Sequence, residues 1–176
     1  IQVTSPGSIG SVGYTGTGFR PGCLIDISDS NVAGVPAAGQ DALCCIGFGT
    51  GPGEQTSTSV GSNDATGSGD AQHGQKNDHF IFAVAASGIV DGTHNEAKIV
   101  SLDVDGFTLD WLRVTAGETY FVLCLKGGQF KVGQAAQKTS TGTLATAGAG
   151  FTPTGMLVSS ANDATDTGSS DDSEVE

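Results

Sequence analysis

The stretch Ile99-Val100-Ser101-Leu102-Asp103-Val104-Asp105-Gly106-Phe107-Thr108-Leu109-Asp110-Trp111 decides the fold class. Phe107, Leu109 and Trp111 alternate with Thr108 and Asp110, the period-two pattern of a strand with one face buried and the other wet. Asp105-Gly106 separates this run from a strand over 98–103, and Asp-Gly between two such runs is a strong hairpin signal. The expectation is two antiparallel strands joined by a tight turn.

The same alternation recurs outward from the hairpin. In 23–27, Cys23, Ile25 and Ile27 share a face, with Asp26 opposite. In 43–48, Cys44, Ile46 and Phe48 share one, closed by the breaker Gly49-Thr50-Gly51-Pro52-Gly53. In 79–85, Phe80, Phe82 and Val84 alternate against His79, Ile81 and Ala83. In 120–126, Phe121, Leu123 and Leu125 face one way and Tyr120, Val122, Cys124 and Lys126 the other. Apolar side chains on both faces suit a central strand. The stretch 50–78, rich in Gly, Ser, Thr and Asp, reads as the largest loop, with room for one polar strand at 56–60. About eight short strands without a helical period predict an all-β, antiparallel β-sandwich, jelly-roll-like; the pattern does not separate a jelly roll from a Greek key. Its expected core is Phe19, Cys23, Ile25, Cys44, Ile46, Phe80, Phe82, Phe107, Leu109, Trp111, Phe121, Leu123 and Leu125.

Composition narrows the partners. The 176 residues carry a formal charge of −12, which cannot neutralise phosphates and argues against nucleic acid. No apolar stretch approaches the roughly 18 residues of a membrane-spanning helix, so no membrane is expected either. Neither a signal peptide nor an N-x-S/T sequon is present, and the chain opens at Ile1, which reads as a processed product or an excerpt. The four cysteines, Cys23, Cys44, Cys45 and Cys124, fit no disulfide framework, and vicinal Cys44 and Cys45 point to opposite faces of one strand. They are expected to be free thiols. With no C-x-x-C and no ligand spacing among His73, His79 and His94, no metal and no cofactor is expected.

The chain also repeats itself. Gly16-Thr17-Gly18-Phe19-Arg20-Pro21 precedes Cys23-Leu24-Ile25, and Gly148-Ala149-Gly150-Phe151-Thr152-Pro153 precedes Met156-Leu157-Val158. Residues 1–135 read as one repeat and 136–158 as the opening strands of a second. Leu144, Phe151, Met156, Leu157 and Val158 are too few for a core of their own, so 1–158 is expected to be one sandwich completed by that segment. An alternative is that the segment is donated to a neighbouring subunit. Residues 159–176, acidic and without a basic residue, read as a tail or arm.

Catalytic chemistry finds little support in the sequence. Asp103-Val104-Asp105-Gly106 resembles the opening of a calcium loop, but the remaining ligand positions are missing and a hairpin turn explains it. No G-x-S-x-G elbow exists, and the cysteines lie mid-strand rather than at a helix N-terminus. Gly47–Gly53 has no lysine and no following helix to cradle phosphate. No catalytic residue is assigned. Tyr14 and Trp111 are the candidate platforms for sugar stacking, Tyr14 the better placed because Trp111 shares a face with Phe107 and Leu109.

Three stretches together resemble a repeated β module of tailed-bacteriophage virion proteins. They are Gly18-Phe19-Arg20-Pro21 with the strand after it and Ile46-Gly47-Phe48-Gly49; Lys76-Asn77-Asp78-His79-Phe80-Ile81 with Gly88-Ile89-Val90-Asp91-Gly92; and Ile99 to Trp111 with Tyr120 to Gly128. The resemblance spans nearly the whole chain and is most specific over Ser101 to Trp111. It implies a non-enzymatic structural protein in a virion assembled in the host cytoplasm, coating or decorating a capsid, tail or fibre. Its partners would be other virion proteins and copies of itself in a homo-oligomer. The acidic tail is not part of the family pattern. The alternative is a carbohydrate- or receptor-binding module of a tail fibre or cell-surface protein.

Overall fold

The computed structural model describes residues 1–29, 42–63, 70–83, 95–136, 138–160 and 170–172. Among these there are eleven strands and no helix. They are β1 (Gln2–Thr4), β2 (Gly10–Thr15), β3 (Cys23–Ser28), β4 (Ala42–Gly51), β5 (Glu54–Asn63), β6 (Asp70–Lys76), β7 (Ile81–Ala83), β8 (Asn95–Asp103), β9 (Gly106–Arg113), β10 (Thr119–Leu125) and β11 (Ser170–Asp172). One sheet runs β1-β10-β3-β4-β5-β6-β11 and the other β2-β9-β8-β7, with every pairing antiparallel. The two pack face to face as an all-β sandwich. In the larger sheet β10 returns beside the first strand of the β3-β4-β5 meander, the spatial order of a Greek key.

The hairpin that anchors the sequence reading is β8–β9, with Asp103 paired to Gly106 across a two-residue turn. Only glycine fits at 106, because a Cβ there would lie 1.8 Å from the Tyr14 carbonyl oxygen. An extra residue in β8 between Ile99 and Ser101 breaks the register. The Ile99 amide donates instead to Gln55 Oε1 at 2.7 Å, a buried hydrogen bond that ties the smaller sheet to β5 of the larger one.

Phe107, Leu109 and Trp111 point into the core, as does Phe80, but on β7 Ile81 and Ala83 join the core cluster while Phe82, expected inward, is buried on the other face under Lys76. On β3, β4 and β10 the inward face is the opposite of the one expected. Leu24, Cys45, Tyr120 and Val122 are fully buried in the core cluster, while Phe121 and Leu123 are 57% and 55% exposed. The reason lies in β4, where Gly47 and Gly49 face inward. A Cβ on Gly47 would lie 1.9 Å from the Phe80 carbonyl oxygen, and one on Gly49 would lie 2.2 Å from Ile99 Cδ1. Two glycines let the bulky residues of the smaller sheet approach the backbone, and the volume they leave is filled from across the sandwich. Cys44, Ile46 and Phe48 are thereby turned outward and half-buried, and Phe19 is half-buried in the loop before β3.

Two further differences concern 50–78 and the C-terminal part. Most of the expected loop is strand, because β5 and β6 run through it with small inner side chains such as Ser57 and Ser59. Residues 138–160 form no strand, and the sandwich closes without them. Within the acidic tail, Ser170–Asp172 pairs with β6, opposite His73, Gln72 and Ala71.

Candidate interaction surface

The outward face of the larger sheet carries exposed apolar side chains on several neighbouring strands. Its cross-strand rows follow from the register. Leu123, Ile25, Phe48 and Thr56 lie side by side on β10, β3, β4 and β5. Ile27, Ile46 and Thr58 form the next row, and Cys44 and Val60 the one after. Ile27 is 61% and Val60 47% exposed, beside the open Phe121 and Leu123. Ile25 and Cys23, although outward, are buried by these neighbours.

Charge is missing where the apolar side chains gather. The chain has 19 acidic and 7 basic residues, yet the outward positions of β3, of β10 from 121 to 125 and of β4 from 44 to 48 are all apolar. The inward parity takes Asp26 into the core. Glu54 stands at the end of the β4–β5 hairpin, where it accepts from Thr50 Oγ1 at 2.7 Å and pairs with Lys131. Those two hydrogen bonds hold its carboxyl below the usual glutamate range. Soluble monomers seldom expose a contiguous apolar face, and depletion of charge at its centre is the compositional mark of an interface core.

The residues singled out for chemistry are occupied structurally. Trp111 is buried, its Nε1–H donating to Tyr14 Oη at 3.0 Å, and that hydroxyl donates to the Thr4 carbonyl at 3.1 Å. Tyr14 also packs on Phe107, ring centres 5.6 Å apart. The two sugar-platform candidates therefore meet in one packed cluster, Trp111 buried and Tyr14 half-buried. Asp103 accepts from Ser101 and Thr108 hydroxyls at 2.7 and 2.8 Å, while Asp105 accepts from the Gly18 amide at 2.6 Å. The two carboxylates are thus engaged separately within the chain. His79 is buried with Nδ1 2.5 Å from Asp78 and Nε2 3.5 Å from Glu96, so a carboxylate faces each ring nitrogen. Lys98 and Arg113 complete this ion-pair cluster on the smaller sheet. Burial raises the Asp78 carboxyl, but hydrogen bonds from Lys98 and His79 outweigh it and leave the group below its ordinary range. His73 lies on β6, and His94 lies outside the described residues.

One polar group in the core went unrecognised in the sequence. Asp26 is fully buried, with Oδ1 accepting from Ser28 Oγ at 2.5 Å and Oδ2 without a hydrogen-bond partner. Burial pushes its carboxyl up to about 7 against the opposing hydrogen bonds of Ser28 and Cys45. Burial also raises the thiol of Cys45, and a charged Asp26 beside it adds to the shift. An acid sealed from solvent has no access to a substrate, so its consequence is for stability. All four cysteines are free thiols.

No protein family, no curated protein and no solved structure matches the chain.

Proposed function

We propose that this chain is a non-enzymatic structural module that joins an assembly through the outer face of its larger sheet, in the setting of a tailed-phage particle that it coats or decorates. The observation that carries this reading is the uncharged apolar field of Ile27, Val60, Phe121 and Leu123 in a chain of net charge −12. Such a field has no reason to stay bare on a protein that otherwise repels its own copies. The motif over Ser101 to Trp111 supplies the phage setting.

The test is incorporation. Particles purified from the lysate of the encoding phage should contain the wild-type chain at a fixed copy number, and Leu123→Lys should deplete it while the free protein keeps its fold. Particles that lack the wild-type chain would reject the phage setting. Equal incorporation of the variant would reject the outer face as the contact.

A further inference from the structure

The second copy of the repeat keeps the glycine conformations of the first. Gly10, Gly16 and Gly18 have φ of 129°, 99° and 74°. Their counterparts Gly142, Gly148 and Gly150 have 130°, 98° and 78°. Three counterpart glycines that match at positive φ, which side chains disfavour, give the two segments the same backbone turns at these positions. In the first copy those turns have a purpose. The amides of Gly16 and Gly18 converge on Asp105, at 3.3 Å to Oδ2 and 2.6 Å to Oδ1, and the Gly16 amide also reaches the Asp105 carbonyl at 3.0 Å. This is a main-chain nest for a carboxylate, clasping the turn of the β8–β9 hairpin while β2 pairs along β9.

In the second copy no hydrogen bond among the described residues reaches the Gly148 or Gly150 amide. Met156, Leu157 and Val158, which stand where the first copy has Leu24, Ile25 and Asp26, are 83%, 68% and 75% exposed. The chain's own hairpin cannot serve them, because β2 already covers β9 and Gly16 and Gly18 already hold Asp105.

We infer that residues 142–158 are a docking element for a second β-sandwich module built like this one, taking its β8–β9-type hairpin. Residues 142–147 lie along the second hairpin strand, the amides of Gly148 and Gly150 seat the turn aspartate, and Met156 to Val158 enter the partner's sheet. The partner is recognised by an Asp-Gly turn carrying a free carboxylate and an unpaired following strand. This element is separate from the outer sheet face, and either proposal can fail alone.

The test transplants the second copy onto a hairpin that is already known. In the full chain, residues 11–20 receive the second-copy sequence through Ser11→Thr, Val12→Leu, Gly13→Ala, Tyr14→Thr, Thr15→Ala, Thr17→Ala and Arg20→Thr. Hydrogen exchange at the Gly16 and Gly18 amides should stay slow and rise about tenfold or more when Asp105→Ala is added, since bonds to a carboxylate are among the stronger ones. A second chain keeps Tyr14 and changes only residues 15, 17 and 20, which separates nest failure from loss of the Tyr14 bonds. Asp105-dependent protection in either chain supports the inference, and its absence from both overturns it. A labelled peptide of residues 139–160 should also bind the full chain carrying Val12→Pro, Gly16→Val and Gly18→Val, in which a proline in β2 frees β9 and the valines free Asp105. Valine at its own Gly148 and Gly150 should weaken that binding about tenfold, because each φ is strained for a side chain. No binding, or equal binding by both peptides, would contradict docking.

Discussion

Replacing Asp26 by asparagine should remove the largest single loss of stability between pH 4 and 7. In the folded chain the buried carboxyl titrates at about 7, against 3.8 for an unburied aspartate. The folded state therefore holds this proton more tightly than the unfolded state. The corresponding stability is fully present below about pH 4 and is lost as pH rises through about 7. The difference amounts to about 4 kcal/mol over the whole window, near 1.4 kcal/mol per pH unit. Glu118, also raised by burial, adds a smaller change of the same sign. Asp26→Asn removes the ionisation but places an amide NH2 where Oδ2 has no partner, which costs about 1–3 kcal/mol at all pH values. The variant should thus be less stable than wild type at pH 4 and more stable at pH 8, with the curves crossing between. Urea unfolding across this range, followed by fluorescence of the single, buried Trp111, reads both curves. Parallel curves for the two proteins across pH 4–7 would refute the assignment of a protonated core acid.

Other substitutions test the packing. Gly47→Ala forces a Cβ against the Phe80 backbone oxygen and should cost about 3 kcal/mol or more, seen as a lower melting temperature, while Gly7→Ala, with open space around it, should be near neutral. Gln55→Leu keeps the bulk but strands the buried Ile99 amide, so urea unfolding should show a loss of about 1–3 kcal/mol. Four thiols should react with a disulfide reagent in denaturant, whereas in the native protein Cys45 should be inert and Cys23, whose thiol burial pushes up to about 11, slow.

The sequence reading reached the two-sheet architecture, the β8–β9 hairpin and the inward set on β9, because there a polar face opposes an apolar one and only one register buries the latter. It misjudged β3, β4, β7 and β10, which are apolar on both sides. Alternation finds two sets on such strands, and the larger side chains, Phe48, Phe121 and Leu123, invite the inward assignment. What settles the choice is shape across the sandwich: Gly47 and Gly49 must face Phe80 and Ile99, and glycine reads locally as a breaker. The burial of Asp26 followed from that inversion and was hidden by it. β5 and β6 were obscured by composition, since strands of Ser, Thr, Gly and Gln owe their place to ladder pairing rather than to apolar pattern. The candidate surface was visible only as residues, because the sequence carries the apolar set without saying which side is covered.

Sedimentation velocity over a concentration series, on wild type and on Leu123→Lys combined with Ile27→Lys, probes the outer face of the larger sheet. Both side chains lie on the outer face and are largely exposed, so the double variant should keep the wild-type melting temperature to within a few degrees. Wild type should self-associate at micromolar concentration in physiological salt, and the variant should sediment as a monomer throughout. A wild-type chain that stays monomeric at every concentration, or a variant that associates as wild type does, would contradict the outer sheet face as the surface that builds the assembly.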